Sequence, residues 1–102
     1  MKTVEQQFSE RVLAQLQTAE REKYCRTGRI LAQIEKYGAV GYAKEQFRRG
    51  RVCDGFDELA AAGQLALSIE ALAVSKQFGE LFTDEEADFC LQALLEAGYY
   101  QR

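Results

Sequence analysis

The sequence contains no histidine and no proline among its 102 residues. Histidine is the most frequent general base in enzymes and the usual partner of a serine or cysteine nucleophile, so its absence excludes the histidine-dependent triads and removes a common zinc ligand. Because proline is also absent, no helix has to break at such a residue, and the eight glycines supply the stops instead.

Other signals of catalysis are missing as well. No group of glycines has the spacing of a phosphate-binding loop or a dinucleotide fingerprint. The densest acidic group lies in the first turn or so of a predicted helix, where the helix dipole favours acids, and consists of Asp84, Glu85, Glu86 and Asp88. We therefore predict a non-enzymatic protein with no catalytic residues, no cofactor and no metal site.

The cysteines and the hydropathy pattern bear on the compartment. Cys25, Cys53 and Cys90 match no metal-ligand spacing and leave one thiol unpaired under any single disulfide, so we expect reduced thiols. Cys90 lies on an apolar helix face and is predicted to be buried, whereas Cys25 and Cys53 are candidates for exposed thiols. The first ten residues lack a secretory signal, and no apolar run approaches the roughly 18 residues of a spanning helix, which predicts a cytoplasmic protein.

Apolar residues recur at helical spacing through most of the chain, whereas strand-like alternation is limited to "QLALS". A chain of this length with 47% hydrophobic residues suits one domain, residues 1–102, with its own core. We predict an all-α, compact single-domain bundle of five or six helices with a long N-terminal helix. The predicted helices run from Val4 to about Thr27, Ile30 to Tyr37, Val40 to Gly50, Gly55 to Gly63, Ile69 to Ser75 and Asp84 to Ala97.

Start signals accompany three of these helices. Asp54 and Ser68 are predicted N-caps, and Thr83 and Glu86 have the spacing of a capping box. The residues predicted to fill the core of the second half are Phe56, Leu59, Leu67, Leu72, Phe78, Leu81 and Phe82.

Charge is distributed unevenly along the chain. Residues 19–51 have a net charge of +5 and residues 52–102 a net charge of −8, in a protein whose total is −3. Such an asymmetry bears on association and steering, although the two halves could also face each other within the fold.

The most basic stretch is "EQFRRGRV", residues 45 to 52. Arg48 and Arg49 fall in the last turn of a predicted helix, where cations complement the dipole, but this explanation does not extend to Lys44 and Arg51. Phosphate binding would require several cations to converge on one surface. The cations available for such a surface are Arg26, Arg29, Lys44, Arg48, Arg49 and Arg51.

The last predicted helix carries apolar residues on two faces. Its inner arc is predicted to consist of Ala87, Cys90, Leu91, Leu94 and Leu95. Phe89 lies roughly opposite this arc. Either the helix packs on both sides, or Phe89 forms part of a docking surface with Tyr99 and Tyr100, because aromatic residues are enriched in interface cores.

Three stretches, "YGAVGYAK", "CDGFDELAAAGQLALSIEALAV" and "FGELFTDEEADFCLQALLEAGYY", share a pattern over residues 37–100 that resembles a family of small bacterial and mobile-element helical proteins. The chain departs from the pattern where serine is expected at Cys53, an acidic residue at Ala66 and a larger aliphatic at Ala73. The resemblance implies a helical fold and supplies no catalytic activity and no site residues. Occurrence near mobile elements would suit a phage-type regulator or inhibitor of a host defence complex.

Two functions are open at this point. The first is a protein-interaction module that binds a partner protein, or a second copy of itself as a homodimer. Its contact residues would be Lys44, Arg48, Arg49 and Arg51 in one group and Phe89, Tyr99 and Tyr100 in another. The second is a nucleic-acid-binding regulator that sets the basic helix end at residues 44–51 against a phosphate backbone.

Overall fold

Helices form where the sequence repeats apolar residues at intervals of three and four. The computed structural model describes residues 2–99, and this part of the chain contains six α-helices, two 3₁₀ turns and no strand. The helices are α1 (Val4–Arg21), α2 (Gly28–Tyr37), α3 (Ala39–Arg48), α4 (Phe56–Ala61), α5 (Ile69–Ala73) and α6 (Asp84–Glu96), and the 3₁₀ turns are Leu65–Leu67 and Gly79–Leu81. The Cα radius of gyration is 12.5 Å, close to the ~13 Å of a compact 100-residue domain. The predicted all-α bundle is confirmed.

Helix α1 ends at Arg21, whereas the apolar pattern predicts a helix to about Thr27. The chain leaves the helix because Lys23 adopts a left-handed φ of 60° and Tyr24 donates its backbone N–H to the carbonyl of Ala19 at 2.8 Å. No glycine lies at this stop, so a prediction that relies on glycines to end helices overestimates the length of α1. Neither α1 nor any other helix within residues 2–99 has both the length and the apolar character needed to cross a membrane.

A single glycine both ends α2 and begins α3. Gly38 has a φ of 80°, donates its N–H to the carbonyl of Ile34 at 2.7 Å and accepts the N–H of Tyr42 at 2.9 Å. Residues that carry a side chain rarely adopt such a positive φ, so glycine is required here. The short connection brings α2 and α3 into direct contact with each other.

Two of the three predicted start signals are confirmed. Ser68 accepts a backbone N–H of α5 at 3.1 Å, and Thr83 and Glu86 form a complete capping box at α6. The prediction that Asp54 caps α4 is wrong. Gly55 precedes that helix without a side-chain cap, because the Asp54 carboxylate instead accepts a hydrogen bond from a tyrosine of α3.

Aromatic side chains fill the larger of two buried clusters. The ring of Phe8 lies edge-on to Phe78 at 5.2 Å and to Phe82 at 5.4 Å, and Phe47 lies 5.7 Å from Phe82. Edge-to-face contacts of this kind add to the free energy gained from burial alone. The smaller cluster joins the end of α1 to α4 and α6.

Most of the predicted core is confirmed. The buried members are Phe56, Leu59, Leu72, Phe78 and Phe82. Leu67 and Leu81 are only half-buried. Cys90 is buried as predicted, but Cys25 and Cys53 are buried too, with 7% and 3% of their surface exposed, so the expectation of exposed thiols is wrong. Burial raises the pKa of all three thiols.

The predicted inner arc of α6 is partly wrong. Cys90 and Leu94 are fully buried, but Leu91 and Leu95 are each 38% exposed. Phe89 is half-buried on the inner side, where its ring lies 5.9 Å from that of Phe47. The buried and half-buried residues of α6 therefore lie on one side of the helix. This side includes Phe89 and excludes Leu91 and Leu95, because the ring of Phe47 on α3 lies against Phe89.

Candidate binding cleft

An open cleft of about 630 Å³ lies between α2, α3 and residues 49–54. We call it the arginine cleft and define it by Arg29, Gln33, Tyr37, Gln46, Arg49 and Arg51. Three of these residues, Arg29, Gln33 and Tyr37, follow one another at intervals of four on α2 and so share one face of that helix. Because Gly38 alone separates α2 from α3, this face meets a matching face of α3 and the two form the walls of the cleft.

The floor of the cleft is held by a buried tyrosine. Tyr42 of α3 is 5% exposed, and its hydroxyl donates to Asp54 Oδ2 at 3.1 Å while accepting the Asp54 backbone N–H at 2.9 Å. Burial raises the pKa of the Tyr42 hydroxyl well above its ordinary range. The hydroxyl therefore stays protonated and ties the segment after α3 back onto that helix.

A buried glutamate holds the same segment from behind. Glu70 has no exposed surface, and its Oε2 accepts the backbone N–H of Cys53 at 2.7 Å. Its other oxygen, Oε1, is buried and has no hydrogen-bond partner within residues 2–99. Desolvation raises the pKa of the Glu70 carboxyl, because a charge is costly in an apolar interior. Glu70 and Tyr42 thus fix the short stretch that carries Arg51.

The guanidinium groups in the cleft differ in their partners. Arg49 forms an ion pair with Glu45 at 2.8 Å, and Arg29 lies 3.8 Å from Asp54. Arg51 is exposed and forms no ion pair with any part of the chain between residues 2 and 99. Three arginines against two carboxylates leave the cleft with a net positive charge.

These groups define what the cleft can bind. A guanidinium presents a planar fork of donors that matches a carboxylate or phosphate, and arginine is preferred where such groups are recognised. The amides of Gln33 and Gln46 add donors and acceptors, and Tyr37, which is 56% exposed, adds an aromatic surface. The cleft is thus suited to an anionic ligand that also offers apolar or planar groups.

The predicted basic contact group is divided by the fold. Arg49 and Arg51 enter the cleft, whereas Arg48 is exposed, lies outside it and pairs with Glu45. The hydrogen bond from Arg48, with the charges of Arg48 and Arg49, lowers the pKa of the Glu45 carboxyl. Of the other cations considered for a phosphate surface, Arg29 joins the cleft, while Arg26 lines a separate depression near the start of α2.

Lys44 lies on a different side of α3. Its Nζ donates to Glu86 Oε1 at 2.8 Å and to the carbonyl of Leu81 at 2.9 Å, and it lies 5.4 Å from the centre of the Phe82 ring. Burial works against ionisation of Glu86, but the hydrogen bonds from Lys44 and the Thr83 amide outweigh it, so the pKa of Glu86 is lowered. Lys44 is committed to contacts within the fold.

The predicted aromatic group is divided as well. Phe89 lines a second concavity with Arg51, and Tyr99 is 37% exposed just beyond the end of α6. Tyr100 lies outside the described residues.

Sequence reasoning missed three residues of the site, namely Gln33, Tyr37 and Glu70. The interval of four that places Gln33 and Tyr37 beside Arg29 is visible in the sequence, but no aspect of the sequence shows which face of α3 it meets. Glu70 was hidden for another reason, since an acid in the first turn of a helix is expected for dipole reasons and attracts no notice.

Comparison with known proteins returns no match to any family model, curated protein or solved structure. Within residues 2–99, no three histidine, cysteine, aspartate or glutamate side chains are grouped so that they could hold a metal ion. The arginine cleft is therefore the feature on which a functional inference can rest.

Proposed function

We propose that this protein is a non-enzymatic interaction module that binds an acidic segment of a partner protein in the arginine cleft. The observation that supports this is the convergence of Arg29, Arg49 and Arg51 on one open cleft, with Arg51 left without an ion pair in the described part of the chain. An acidic side chain that enters the cleft gains a charge-assisted contact with Arg51 and competes for guanidinium groups that Glu45 and Asp54 only partly satisfy.

The two carboxylates in the cleft favour a protein ligand over a nucleic acid. A phosphate backbone gains affinity mainly from uncompensated cations, and Glu45 and Asp54 offset two of the three arginines. A peptide, in contrast, supplies both acidic side chains for the arginines and backbone N–H donors for the carboxylates. The acidic half of the chain would further repel a nucleic acid.

The resemblance of residues 37–100 to mobile-element helical proteins suggests where such a module would act. We propose a regulator or inhibitor that occupies an acidic surface of a host complex in the cytoplasm. A second copy of this chain is one partner to check, because α6 carries five acidic residues and no basic one.

The proposal is tested with a fluorescein-labelled peptide of alternating aspartate and serine, and with a lysine and serine peptide as the opposite-charge control. Arg51→Glu is expected to weaken binding of the acidic peptide at least about tenfold, because it replaces an attraction by a repulsion. Arg11→Glu makes the same charge change at an exposed position of α1 that does not line the cleft, and is expected to change affinity less than about threefold. Equal losses in the two variants would overturn the proposal.

The partner class is tested by site-specific photo-cross-linking in host lysate, with the cross-linker at Gln33 inside the cleft and at Arg11 on the exposed side of α1. We expect protein adducts from Gln33 that survive nuclease treatment and disappear in Arg51→Glu. Adducts lost on nuclease treatment, with affinity for an oligonucleotide that falls steeply with salt, would establish the nucleic-acid function instead. Analytical ultracentrifugation of the wild type and Arg51→Glu decides whether the partner is a second copy.

A further inference from the structure

A second concavity, of about 500 Å³, lies directly beyond the arginine cleft. Its apolar part is formed by Val52, Phe89 and Ala93, and its edges by Gln92 and Glu96 of α6. We call it the Phe89 groove. Phe89 and Ala93 lie four residues apart on α6 and both are half-buried, so an apolar side chain entering the groove would meet an apolar surface that the fold leaves open.

The arginine cleft and the Phe89 groove are continuous. Arg51 and Val52 line both concavities, so the chain between α3 and α4 forms the ridge over which they join. In this ridge the backbone N–H and C=O of Val52 form no hydrogen bond with the rest of the chain within residues 2–99. Unpaired main-chain groups at a surface are available to the backbone of a bound peptide.

We infer that the ligand is a peptide segment that crosses this ridge, with an acidic residue in the arginine cleft and a large apolar residue in the Phe89 groove. The inference rests on the proposed function and specifies the partner more closely. Arg51 sets the acidic position, Val52 supplies main-chain contacts, and Phe89 and Ala93 receive the apolar side chain. The fold thereby joins one member of each contact group, Arg51 and Phe89, in a single recognition surface.

The acidic and apolar positions have different effects on binding. The charged contact mainly governs the rate of encounter and the register, whereas the apolar side chain slows dissociation because it is removed from water. Full burial of a leucine side chain corresponds to about a tenfold or greater gain in affinity. A nucleic acid offers no aliphatic side chain to the groove, so this gain is specific to a protein ligand.

The test uses the aspartate and serine peptide extended at its C-terminus by six serines, and three relatives in which the serine two, four or six positions after the last aspartate is replaced by leucine. An extended chain advances about 3.3 Å per residue, so the series samples a range of spans across the ridge. We expect one spacing to bind the wild type about tenfold more tightly than the peptide without leucine, with the other spacings weaker. Equal affinities at all spacings and without leucine would overturn the inference.

The site of the leucine is checked by amide chemical-shift mapping of the unaltered protein. Both kinds of peptide are expected to shift amides around Arg29, Arg49 and Arg51, and only the leucine peptide those of Phe89 and Ala93. Shifts confined to the arginine cleft, with affinity unaffected by leucine, would contradict the inference and leave the proposed function standing. An absence of shifts around the three arginines would contradict both.

A filling substitution provides the matched variant. Ala93→Met places an apolar side chain in the Phe89 groove and is expected to abolish the advantage of the leucine peptide over the peptide without leucine. Ala32→Met makes the same change at an exposed position of α2 outside both concavities and is expected to preserve the advantage. If Ala93→Met retains the advantage, or fails to fold and the mapping shows no contact at the groove, the inference is wrong.

Discussion

The two sides of α3 carry cations of the same sign with different roles. On one side, the charge of Lys44 is matched by Glu86, a carboxylate with 13% of its side chain exposed, and by the carbonyl of Leu81. On the other side, Arg49 lines an open cleft and shares its acidic partner, Glu45, with Arg48. The neighbours of a cation, and not its place in a basic stretch, therefore decide whether it stabilises the fold or faces a ligand.

The same contrast extends to the uncharged residues of α3. Phe47 lies in the aromatic core with Phe82, and Gln46, its neighbour in the chain, lines the arginine cleft. Residues on the core side of α3 and residues on its cleft side therefore contribute to different properties of the protein. Substitutions on the first are expected to change stability, and those on the second to change binding.

The largest expected effect comes from opening the core side. Phe47 is 4% exposed, so Phe47→Ala removes a buried ring and leaves a cavity, at a cost of about 3–5 kcal/mol in the free energy of unfolding. Gln46→Ala on the cleft side is expected to cost about 0.5 kcal/mol or less, as surface substitutions usually do. Denaturant unfolding of the two variants measures both; similar costs would mean that the division between the sides is wrong.

The next effect depends on pH. The pKa of Glu70 is raised above its ordinary value of about 4.5, so its contribution to stability is complete below that pH and is lost as the pH rises through the folded-state pKa. Glu70→Gln keeps an acceptor for the Cys53 N–H without the titration. The free energy of unfolding of the wild type, relative to the variant, should fall by about 1.4 kcal/mol per pH unit across that interval.

Unfolding curves of the wild type and Glu70→Gln between pH 4 and 8 provide the measurement, and taking the difference removes groups common to both proteins. A difference that rises with pH would show that Glu70 is stabilised as a carboxylate. Asp57 and the Cys53 thiol lie near enough to influence Glu70, and Asp57→Asn serves as the control for the charge of that neighbour.

A smaller loss is expected when the floor of the cleft is released. Tyr42→Phe removes the hydrogen bond to Asp54 Oδ2 and deprives the Asp54 N–H of its acceptor, at a cost of about 1–2 kcal/mol. The variant should also weaken acidic-peptide binding, because the segment carrying Arg51 is less well fixed. Thermal unfolding and fluorescence anisotropy measure the two effects; unchanged stability would show that the hydroxyl does not hold the segment.

The smallest expected change compares the two kinds of cation directly. Lys44→Met leaves the Leu81 carbonyl without its donor and leaves Glu86 with only the Thr83 amide. It should cost about 1 kcal/mol, a figure reduced from that of a buried pair because the lysine side chain is 39% exposed. Arg49→Met is expected to leave stability nearly unchanged and to weaken acidic-peptide binding. If Lys44→Met instead weakened binding and left stability unchanged, Lys44 would belong to the contact surface, as the sequence predicted.

Much of the fold could be predicted because its signals are local. Local signals depend only on residues a few positions away in the sequence. Examples are the capping box of Thr83 and Glu86, the cap at Ser68 and the positive φ of Gly38. The wrong predictions concern residues whose role depends on a contact with a residue distant in sequence. Asp54 is drawn from its capping role by Tyr42, and α6 presents Phe89 to the core because Phe47 lies there.

The candidate site follows the same division. The amino-acid sequence alone excludes histidine-dependent chemistry, favours helices over strands through its apolar spacing, and concentrates positive charge before residue 52. That Arg51 faces a cleft while Lys44 binds Glu86 depends on tertiary packing. Charge is a property of a single residue, but its compensation depends on which residues the packing of distant helices brings within about 4 Å of it.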